Sequence, residues 1–250
     1  MAKQARWNEI LNLAREKESI SVKELCKELK ASEATIRRDL QEMEDLNLLT
    51  RYHGGAKIDQ SQFNEPSMVI KSSRYKEEKK RIGLTAASLI KDNQMIYIDA
   101  GSTTYEIIPF IKAKNITVVT PGIPHMGLLG QSGINTIVLG GQLYWSTQAI
   151  IGKTAADQLE SLFFDIAFIG ANGIYEKSGF FTSNELEAMT KSKAIEHSQI
   201  CYIVADSTKF NQLRSAKFAS LDEAIIITND VSDFNCKKIK YLLTDGSKNY

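Results

Sequence analysis

The chain has 250 residues, a length that allows two domains, each with a hydrophobic core of its own. Hydrophobic residues make up 43% of it and charged residues 24%, a composition that excludes disordered and fibrous proteins. The formal net charge of +1 excludes a polycation, so any binding of nucleic acid must depend on local clusters of charge.

Cysteine and histidine usage narrows the class of protein further. Three cysteines are scattered along the chain, which favours reduced thiols in a soluble cytoplasmic protein over a disulfide framework. Three dispersed histidines show no metal-ligand spacing, so we expect neither a metal nor a cofactor. Residues 115–152 carry no charged side chain, but Pro121, Pro124 and several glycines interrupt them, so no membrane span is expected.

The spacing of apolar residues predicts three consecutive helices at the start of the chain. The first covers residues 7–14, which place apolar side chains on one face. Ser21 and Glu24 have the capping-box spacing that marks the beginning of the second helix. Ser32 is expected to cap the third helix, whose apolar stripe runs through Ile36–Met43.

The third predicted helix has a polar face that suits DNA. At about 100° per residue, Arg38 lies opposite the apolar stripe, and Thr35 and Arg37 lie near the beginning of the helix. These side chains are placed to reach bases and phosphates if the helix enters the major groove by its N-terminal end. We expect the acidic side chains from Asp39 onward to stay nearer the protein.

A basic hairpin is predicted directly after the third helix. The segment "LNLLTRYHGGAKI" consists of a short strand, a Gly-Gly turn and another short strand, without an acidic residue. Arg51, His53 and Lys57 make it suitable as the wing of a winged helix-turn-helix, which contacts the phosphate backbone. The alternative that composition leaves open is a three-helix cap with a solvated charged face.

These residues resemble the N-terminal signature of the DeoR family of bacterial transcriptional regulators. The matching residues are Thr35, Ile36, Arg37, Arg38, Asp39, Leu40, Arg51, His53, Gly54, Gly55 and Ala56. The family usually has a hydrophobic residue and Ser before the Glu, where this chain has Ala31 and Ser32. The resemblance implies a winged helix-turn-helix over residues 1–58 and a homo-oligomer, either a dimer or a tetramer. The residues that it implies for contact with double-stranded operator DNA are Ser32, Glu33, Thr35, Arg37, Arg38, Arg51, His53, Gly54 and Gly55.

A second domain with a different architecture is predicted after a linker. Residues 59–75 are polar, contain Pro66 and are expected to form the linker, with one short packing strand. Over residues 76–250, short apolar runs alternate with helical segments, which predicts an α/β domain with a mainly parallel sheet covered on both faces. The predicted strands are Met95–Ile98, Ile116–Val119, Thr136–Leu139, Ile166–Ile169, Cys201–Val204, Ala224–Ile227 and Tyr241–Leu243.

The first of these strands ends in a sequence that suits an anion. Ligands of parallel sheets bind at the carboxyl ends of the strands. Here that end contains Asp99, Gly101, Ser102, Thr103 and Thr104. Backbone N–H groups at a helix start, together with three hydroxyl groups, can hold a phosphate. A Ser/Thr helix cap without a ligand is the alternative.

Other strand ends supply further candidates for the same pocket. They contribute Thr120, Gly141, Gly170, Asn172 and Lys209. Lys209, in the segment "ADSTK", is placed to provide a cation for a phosphate, although a solvated surface lysine is the alternative for a single Lys. We therefore expect the effector-binding residues to lie along one edge of the sheet.

The C-terminal part is similar to the DeoR sensor domain, whose fold is related to ribose-5-phosphate isomerase. This resemblance implies a phosphate loop at Gly101–Thr104, a second contact segment at Ala205–Lys209, and a role for Lys79, which occupies the place of a lysine upstream of the loop. Compared with most DeoR sensors, Pro121 stands where the family usually has Asn.

The residues that would make this domain an isomerase are missing. Where the isomerases carry carboxylates, this chain has Ile169, Asn172 and Gly173, and their general-base glutamate aligns near Lys191. An aldose–ketose isomerisation needs a positioned base, which neither Ile169 nor Gly173 can supply. The resemblance therefore implies a phosphosugar pocket without catalysis.

Together these features predict a repressor of a sugar-catabolism operon whose DNA affinity is lowered by a phosphorylated sugar. Three alternatives remain open: a transcriptional activator, a sugar-phosphate isomerase fused to a DNA-binding domain, and an interaction domain that retains an unused pocket. A turnover assay distinguishes the enzyme, and a ligand-dependent thermal shift distinguishes the unused pocket.

Overall fold

The computed structural model describes residues 3–17, 19–45, 49–52, 54–57, 67–232, 234 and 239–249. The chain divides into two compact units, Met1–Ser73 and Arg74–Tyr250. Each unit has its own hydrophobic core. No helix among the residues in these ranges is long and apolar enough to cross a lipid bilayer.

The N-terminal unit combines helices with one small antiparallel sheet. Its elements are α1 (Lys3–Lys17), β1 (Ser19–Ser21), α2 (Val22–Leu29), α3 (Glu33–Asp45), β2 (Thr50–Tyr52), β3 (Gly55–Lys57) and α4 (Met68–Ser73). Strand β3 pairs with β1 on one side and with β2 on the other. The three helices and the hairpin confirm the predicted winged helix-turn-helix.

A capping box and a glycine explain how α2 begins and how β3 packs against β1. Ser21 accepts a hydrogen bond from the N–H of Glu24 at 3.2 Å, and Glu24 accepts one from the N–H of Ser21 at 3.0 Å, which is the predicted capping box. A Cβ atom on Gly55 would lie 2.4 Å from the carbonyl oxygen of Ile20, so only glycine lets β3 approach β1. Residues 68–73 form a helix and not the short strand expected for the linker, whereas residues 59–66 lie outside the described ranges.

The C-terminal unit is built on an eight-stranded sheet. Its helices are α5 (Lys76–Ala87), α6 (Ser102–Tyr105), α7 (Ile123–Gln131), α8 (Lys153–Leu159) and α9 (Glu185–Glu196). Its strands are β4 (Met95–Ile98), β5 (Thr117–Thr120), β6 (Asn135–Val138), β7 (Gln142–Tyr144), β8 (Ala149–Ile151), β9 (Phe164–Gly170), β10 (Gly173–Tyr175), β11 (Gly179–Thr182), β12 (Ser198–Val204), β13 (Ala216–Ala219), β14 (Ile225–Thr228), β15 (Tyr241–Leu243) and β16 (Lys248–Asn249).

The order of strands in the main sheet is β16-β15-β14-β12-β9-β4-β5-β6. All pairs are parallel except β15 with β16. The seven predicted strands all lie in this sheet, which confirms the predicted fold class. Side chains alternate between two cores: Tyr97 and Ile203 pack on the side of α8 and α9, and Ile96 and Val204 on the side of α5 and α7.

Two small antiparallel sheets complete the unit. One is the hairpin β7–β8, whose turn contains the half-exposed Trp145. The other has the strand order β10-β11-β13. Glycines permit the second sheet: a Cβ atom on Gly179 would lie 2.1 Å from the carbonyl oxygen of Ala219, and one on Gly173 would lie 2.3 Å from that of Gln212. Strands so short, with glycine at their beginning, have no apolar alternation that predicts them.

Candidate DNA-binding surface and effector cleft

The beginning of α3 presents hydroxyl groups and arginines. The Ser32 side chain accepts a hydrogen bond from the N–H of Thr35 at 3.2 Å, which confirms the predicted cap, and the two hydroxyl oxygens are 2.8 Å apart. The side chain of Arg38 is 81% exposed, and its Nε atom lies 4.0 Å from Glu42. Arg37 donates to Glu33 one turn earlier at 2.7 Å, a surface ion pair of small strength that a phosphate can displace.

The acidic side of α3 is neutralised by α1. Asp39 is buried and accepts hydrogen bonds from Arg6, at 3.1 Å through Nη2, and from the indole N–H of Trp7 at 3.0 Å. Burial raises the pKa of Asp39, but the hydrogen bonds from Arg6 and Trp7 outweigh burial and hold that pKa below its usual value. Lys3 also pairs with Glu42, but at the exposed surface. The carboxylate that most opposes contact with DNA therefore faces the protein, as predicted.

The hairpin is tied to the same helix. The N–H of Arg51 donates to Glu44 at 2.8 Å, and the Arg51 guanidinium donates to the side chain of Gln41. Gly54 is exposed and has φ of +97°, which favours glycine, whereas Gly55 is buried and shapes the hairpin from inside. His53 lies outside the described residues.

In the C-terminal unit, a cleft lies where the order of strands reverses. From β4 the chain proceeds to β5 and β6 on one side and then returns to β9 on the other, which makes a topological switch point between β4 and β9. Such a point is where open parallel sheets bind ligands. The residues lining the cleft are Asp99, Ala100, Pro121, Ala149, Ile150, Ile151, Glu187, Thr190 and Lys191.

The predicted anion loop begins beside this cleft. The loop leads into α6, which is a single turn and therefore has a weaker macrodipole than a longer helix would have. An anion bound here would depend on backbone N–H groups and side-chain hydroxyls. Ser102 and Thr103 make no side-chain hydrogen bond to another described residue. Thr104 is different, because its hydroxyl donates to the carbonyl of Asp99 at 2.6 Å and lies 3.1 Å from Nε2 of His125.

His125 is a buried partner of the loop that the sequence reasoning missed. Burial lowers the pKa of His125 to about 3, so the ring is neutral near pH 7. With the Thr104 hydroxyl donating to Asp99, the Nε2 atom is the one that carries the proton toward Thr104. A Cβ atom on Gly122 would lie 2.3 Å from Nδ1, so glycine at this position makes room for the imidazole.

Asp99 and Gly170 meet across the switch point, as predicted. Oδ2 of Asp99 accepts the N–H of Gly170 at 3.0 Å and also the ammonium group of Lys191. Lys191 donates further to the carbonyl of Gly170 at 3.0 Å, and both charged side chains are buried. The charge of Asp99 is thus compensated inside the protein.

A second carboxylate in the cleft, Glu187, was not predicted. It accepts hydrogen bonds from the hydroxyls of Thr147 at 2.6 Å and Thr182 at 2.7 Å, and Asn172 donates to Thr182 at 3.2 Å. Asn184 caps α9, because its side-chain oxygen accepts hydrogen bonds from the N–H groups of Leu186 at 2.8 Å and Glu187 at 3.2 Å. This Asn cap, followed by acidic residues in the first turn, is the sequence signal that could have located Glu187.

The remaining predicted residues lie at varying distances from the cleft. Thr120 is buried and accepts the N–H of Gly122 at 3.1 Å, directly before the cleft residue Pro121. Lys79 is buried in α5, Gly141 is exposed before β7, and Lys209 is half-buried in a turn after β12. These last three are not among the residues lining the cleft.

Comparison with known proteins identifies the family. Residues 74–231 match the DeoR C terminal sensor domain, and residues 6–62 match the DeoR-like helix-turn-helix domain. The chain is 39% identical over 215 residues to the "Uncharacterized HTH-type transcriptional regulator FruR" of Bacillus subtilis, covering 86% of each protein. It is 31% identical over 243 residues to the lactose phosphotransferase system repressor of Staphylococcus epidermidis, covering 95% of this chain and 96% of the repressor.

Likenesses to solved structures are more distant. The ribose 5-phosphate isomerase A of Methanocaldococcus jannaschii is 17% identical over 54% of each chain, with a TM-score of 0.40. The sorbitol operon regulator SorC of Klebsiella pneumoniae is 11% identical over 84% of this chain and 90% of its own, with a TM-score of 0.37. These two likenesses do not bear on function. The two matched domains and the relatives above 30% identity show that the chain belongs to the DeoR family of DNA-binding transcriptional regulators.

Proposed function

We propose that this regulator represses a sugar-catabolism operon and that a phosphorylated sugar, bound in the cleft at the switch point, lowers its affinity for operator DNA. One relative is named a repressor of the lactose phosphotransferase system, which supports a role in sugar uptake or breakdown. The observation that carries the proposal is the polarity of α3, whose first turns expose Arg37 and Arg38 while Asp39 is buried.

For the DNA-binding surface, we propose that α3 enters the major groove by its N-terminal end. Ser32, Thr35 and the two arginines would then face bases and phosphates, and Arg51 in the hairpin would face the backbone. The ion pair between Glu33 and Arg37 supports this orientation. An exposed i,i+4 pair orders the arginine side chain but is weak, so little free energy is lost when Arg37 leaves Glu33 to contact DNA.

For the effector, we propose a phosphate on the anion loop and the sugar in the cleft. Ser102 and Thr103 are the hydroxyls available to a phosphate, whereas Thr104 is used inside the protein. Lys79 and Lys209 remain proposed effector-binding residues, together with Thr120, Gly141, Gly170 and Asn172. No cofactor is proposed beyond this effector.

We propose that the cleft binds its ligand without catalysis. The relatives are named as regulators, and the residue that aligns near the base of the isomerases, Lys191, is held by Asp99 and the carbonyl of Gly170. Two carboxylates do line the cleft, so the assay that matters is turnover of pentose and hexose phosphates. We expect no rate above the uncatalysed one.

The protein is proposed to act as a homo-oligomer, either a dimer or a tetramer. Two recognition helices that bind two half-sites raise the effective concentration of the second contact, so modest single contacts suffice.

The decisive experiment is fluorescence anisotropy of a labelled duplex from the upstream region of the neighbouring operon. We expect specific binding to this duplex relative to a scrambled duplex, and release by one compound in a panel of phosphorylated sugars. Equal binding to both duplexes at physiological salt would contradict the proposed repressor, because phosphate contacts alone give affinity without specificity.

A further inference from the structure

A groove on the N-terminal unit lies between the beginning of α1 and the exposed face of α3. The residues lining it are Lys3, Arg6, Ala34, Thr35, Arg38, Asp39 and Glu42. Thr35 and Arg38 are two of the residues that the proposed orientation of α3 places against DNA, so a duplex that contacts them passes over this groove. Lys3 borders the same surface, although it was not among the residues predicted to contact DNA.

The charges around the groove leave an excess of one cation. Its described lining includes three cations and two carboxylates. One pair is internal, because Asp39 is buried and bonds to Arg6. In this lining, the exposed cations Lys3 and Arg38 then share the carboxylate of Glu42. An anion that enters the groove is therefore attracted to it.

Glu42 holds the two exposed cations through different oxygen atoms. Its Oε2 atom pairs with the ammonium group of Lys3, and its Oε1 atom lies 4.0 Å from Nε of Arg38. Lys3 is also positioned by Trp7, because its ammonium group lies 4.8 Å from the centre of the indole ring. A carboxylate between an ammonium group and a guanidinium group offers one negative charge and two acceptor oxygens, as a phosphodiester does.

We propose that this groove binds one phosphate of the DNA backbone through Lys3 and Arg38, and that Glu42 occupies the place of that phosphate when no DNA is bound. This inference rests on the proposed orientation of α3. The ion pairs of Glu42 are exposed and therefore weak, so a phosphate can replace the carboxylate. A backbone contact adds affinity for any duplex without sequence preference. By competing for this contact, Glu42 limits the binding of the regulator to non-operator DNA.

The first test replaces Lys3 in the full-length protein. We expect Lys3→Gln to weaken binding to the operator duplex and to a scrambled duplex by the same factor of about tenfold, because one charge-assisted bond is lost. The slope of log affinity against log salt should fall by about 0.9, the value for one phosphate contact. Fluorescence anisotropy titrations over a range of salt concentrations measure both quantities.

Lys17→Gln is the matched control for this variant. Lys17 lies at the other end of α1, forms an exposed ion pair with Glu24 at 3.3 Å and does not line the groove. The control removes the same charge from the same helix and should keep the wild-type slope. Equal slopes for Lys3→Gln and the wild-type protein overturn the assignment.

The second test removes the carboxylate that competes with DNA. Glu42→Gln keeps the size of the side chain and should tighten binding to both duplexes by about threefold, which corresponds to the strength of an exposed ion pair. In the Lys3→Gln background the same substitution should have a smaller effect, because one of the two cations that it releases is gone. Glu9→Gln, at an exposed position of α1 outside the groove, removes the same charge and is the control.

These measurements distinguish a contact to DNA from a purely structural role. If Lys3 and Glu42 only join α1 to α3, Lys3→Gln lowers the melting temperature and leaves the DNA affinity of the folded protein unchanged, which overturns the assignment. A Glu42→Gln protein that binds no more tightly than Glu9→Gln overturns it as well.

The proposed function fails in a different way. Equal binding of both duplexes by the wild-type protein contradicts the proposed repressor, whereas the variants of Lys3 and Glu42 still decide whether the groove binds a phosphate. A wild-type protein that binds neither duplex overturns both proposals.

Discussion

Two adjacent threonines in the anion loop have different surroundings, and this difference separates ligand binding from stability. Thr104 bonds to the Asp99 carbonyl and to His125, both buried. Thr103 has no such partner in the described structure, although it occupies the same turn. The side chain available to a phosphate is therefore Thr103, and the side chain that holds the turn together is Thr104.

We expect Thr103→Val to weaken binding of a phosphorylated sugar by about tenfold and to leave the melting temperature unchanged, because only a bond to the ligand is lost. Thr104→Val should instead lower the free energy of unfolding by about 1 to 3 kcal/mol, since it leaves buried polar groups without a partner. Calorimetric titration and denaturant unfolding measure the two effects. Wild-type affinity in Thr103→Val would show that the phosphate binds elsewhere.

His125 gives the C-terminal unit a predictable dependence on pH. Its pKa is lowered to about 3 in the folded protein, whereas an exposed histidine titrates near 6.5. Below about pH 6.5, the unfolded chain therefore binds a proton at this residue that the folded chain does not. As the pH falls below this value, His125 lowers the free energy of unfolding by about 1.4 kcal/mol per pH unit. In NMR spectra we expect the ring signals of His125 not to shift between pH 7 and 5. A titration midpoint near 6.5 would contradict the buried neutral imidazole.

At the scale of elements, α3 is held by α1 through a buried ion pair. The Asp39 side chain is 3% exposed and that of Arg6 is 14% exposed, and Trp7 adds a third bond. We expect Asp39→Asn to destabilise the N-terminal unit by about 3 kcal/mol, because the largely buried Arg6 charge then loses the carboxylate to which it is bonded. Chemical denaturation followed by circular dichroism measures this, and Glu9→Gln, an exposed position on α1, is the control. An unchanged free energy of unfolding would mean that the ion pair makes no net contribution to the stability of this unit.

The outer face of α3 should respond differently. Arg38 is largely exposed, so Arg38→Ala is expected to leave stability unchanged and to weaken operator binding by about tenfold. If Arg38 contacts a phosphate, the slope of log affinity against log salt should fall by about 1. Arg81→Ala, at an exposed position of α5, is the matched control in anisotropy titrations. Unchanged operator affinity in the Arg38 variant would remove it from the recognition surface.

The elements that the sequence predicts differ from those that it misses in two respects: their length, and the separation along the chain between the residues that pair. The seven parallel strands are apolar on both faces, and their ends locate Asp99, Gly170 and the anion loop. Strand β1 has only three residues, and its pairing depends on Gly55, which is far away in sequence. One of the two partners of Glu187 is equally remote: Thr147 is 40 residues earlier, on a hairpin without a recognisable strand pattern.

At the scale of the whole molecule, the proposed regulation has a thermodynamic consequence that can be measured from both sides. If a phosphorylated sugar lowers operator affinity by some factor, operator DNA must lower the affinity for the sugar by the same factor. We expect a factor of about 5 to 150, the usual range of such coupling. Anisotropy with the sugar present and calorimetry with the duplex present measure the two sides. Sugar binding that tightens the DNA complex would favour an activator over a repressor.

The positions of the two tryptophans make the molecule its own optical reporter. Trp7 is buried in the N-terminal unit with its indole N–H bonded to Asp39, and Trp145 is 50% exposed at the tip of a hairpin in the C-terminal unit. Replacing Trp145 with Phe therefore leaves an emission signal that comes from the operator-binding unit alone, and Trp7→Phe leaves one from the sensor alone. Quenching by iodide should separate the two signals without any added dye.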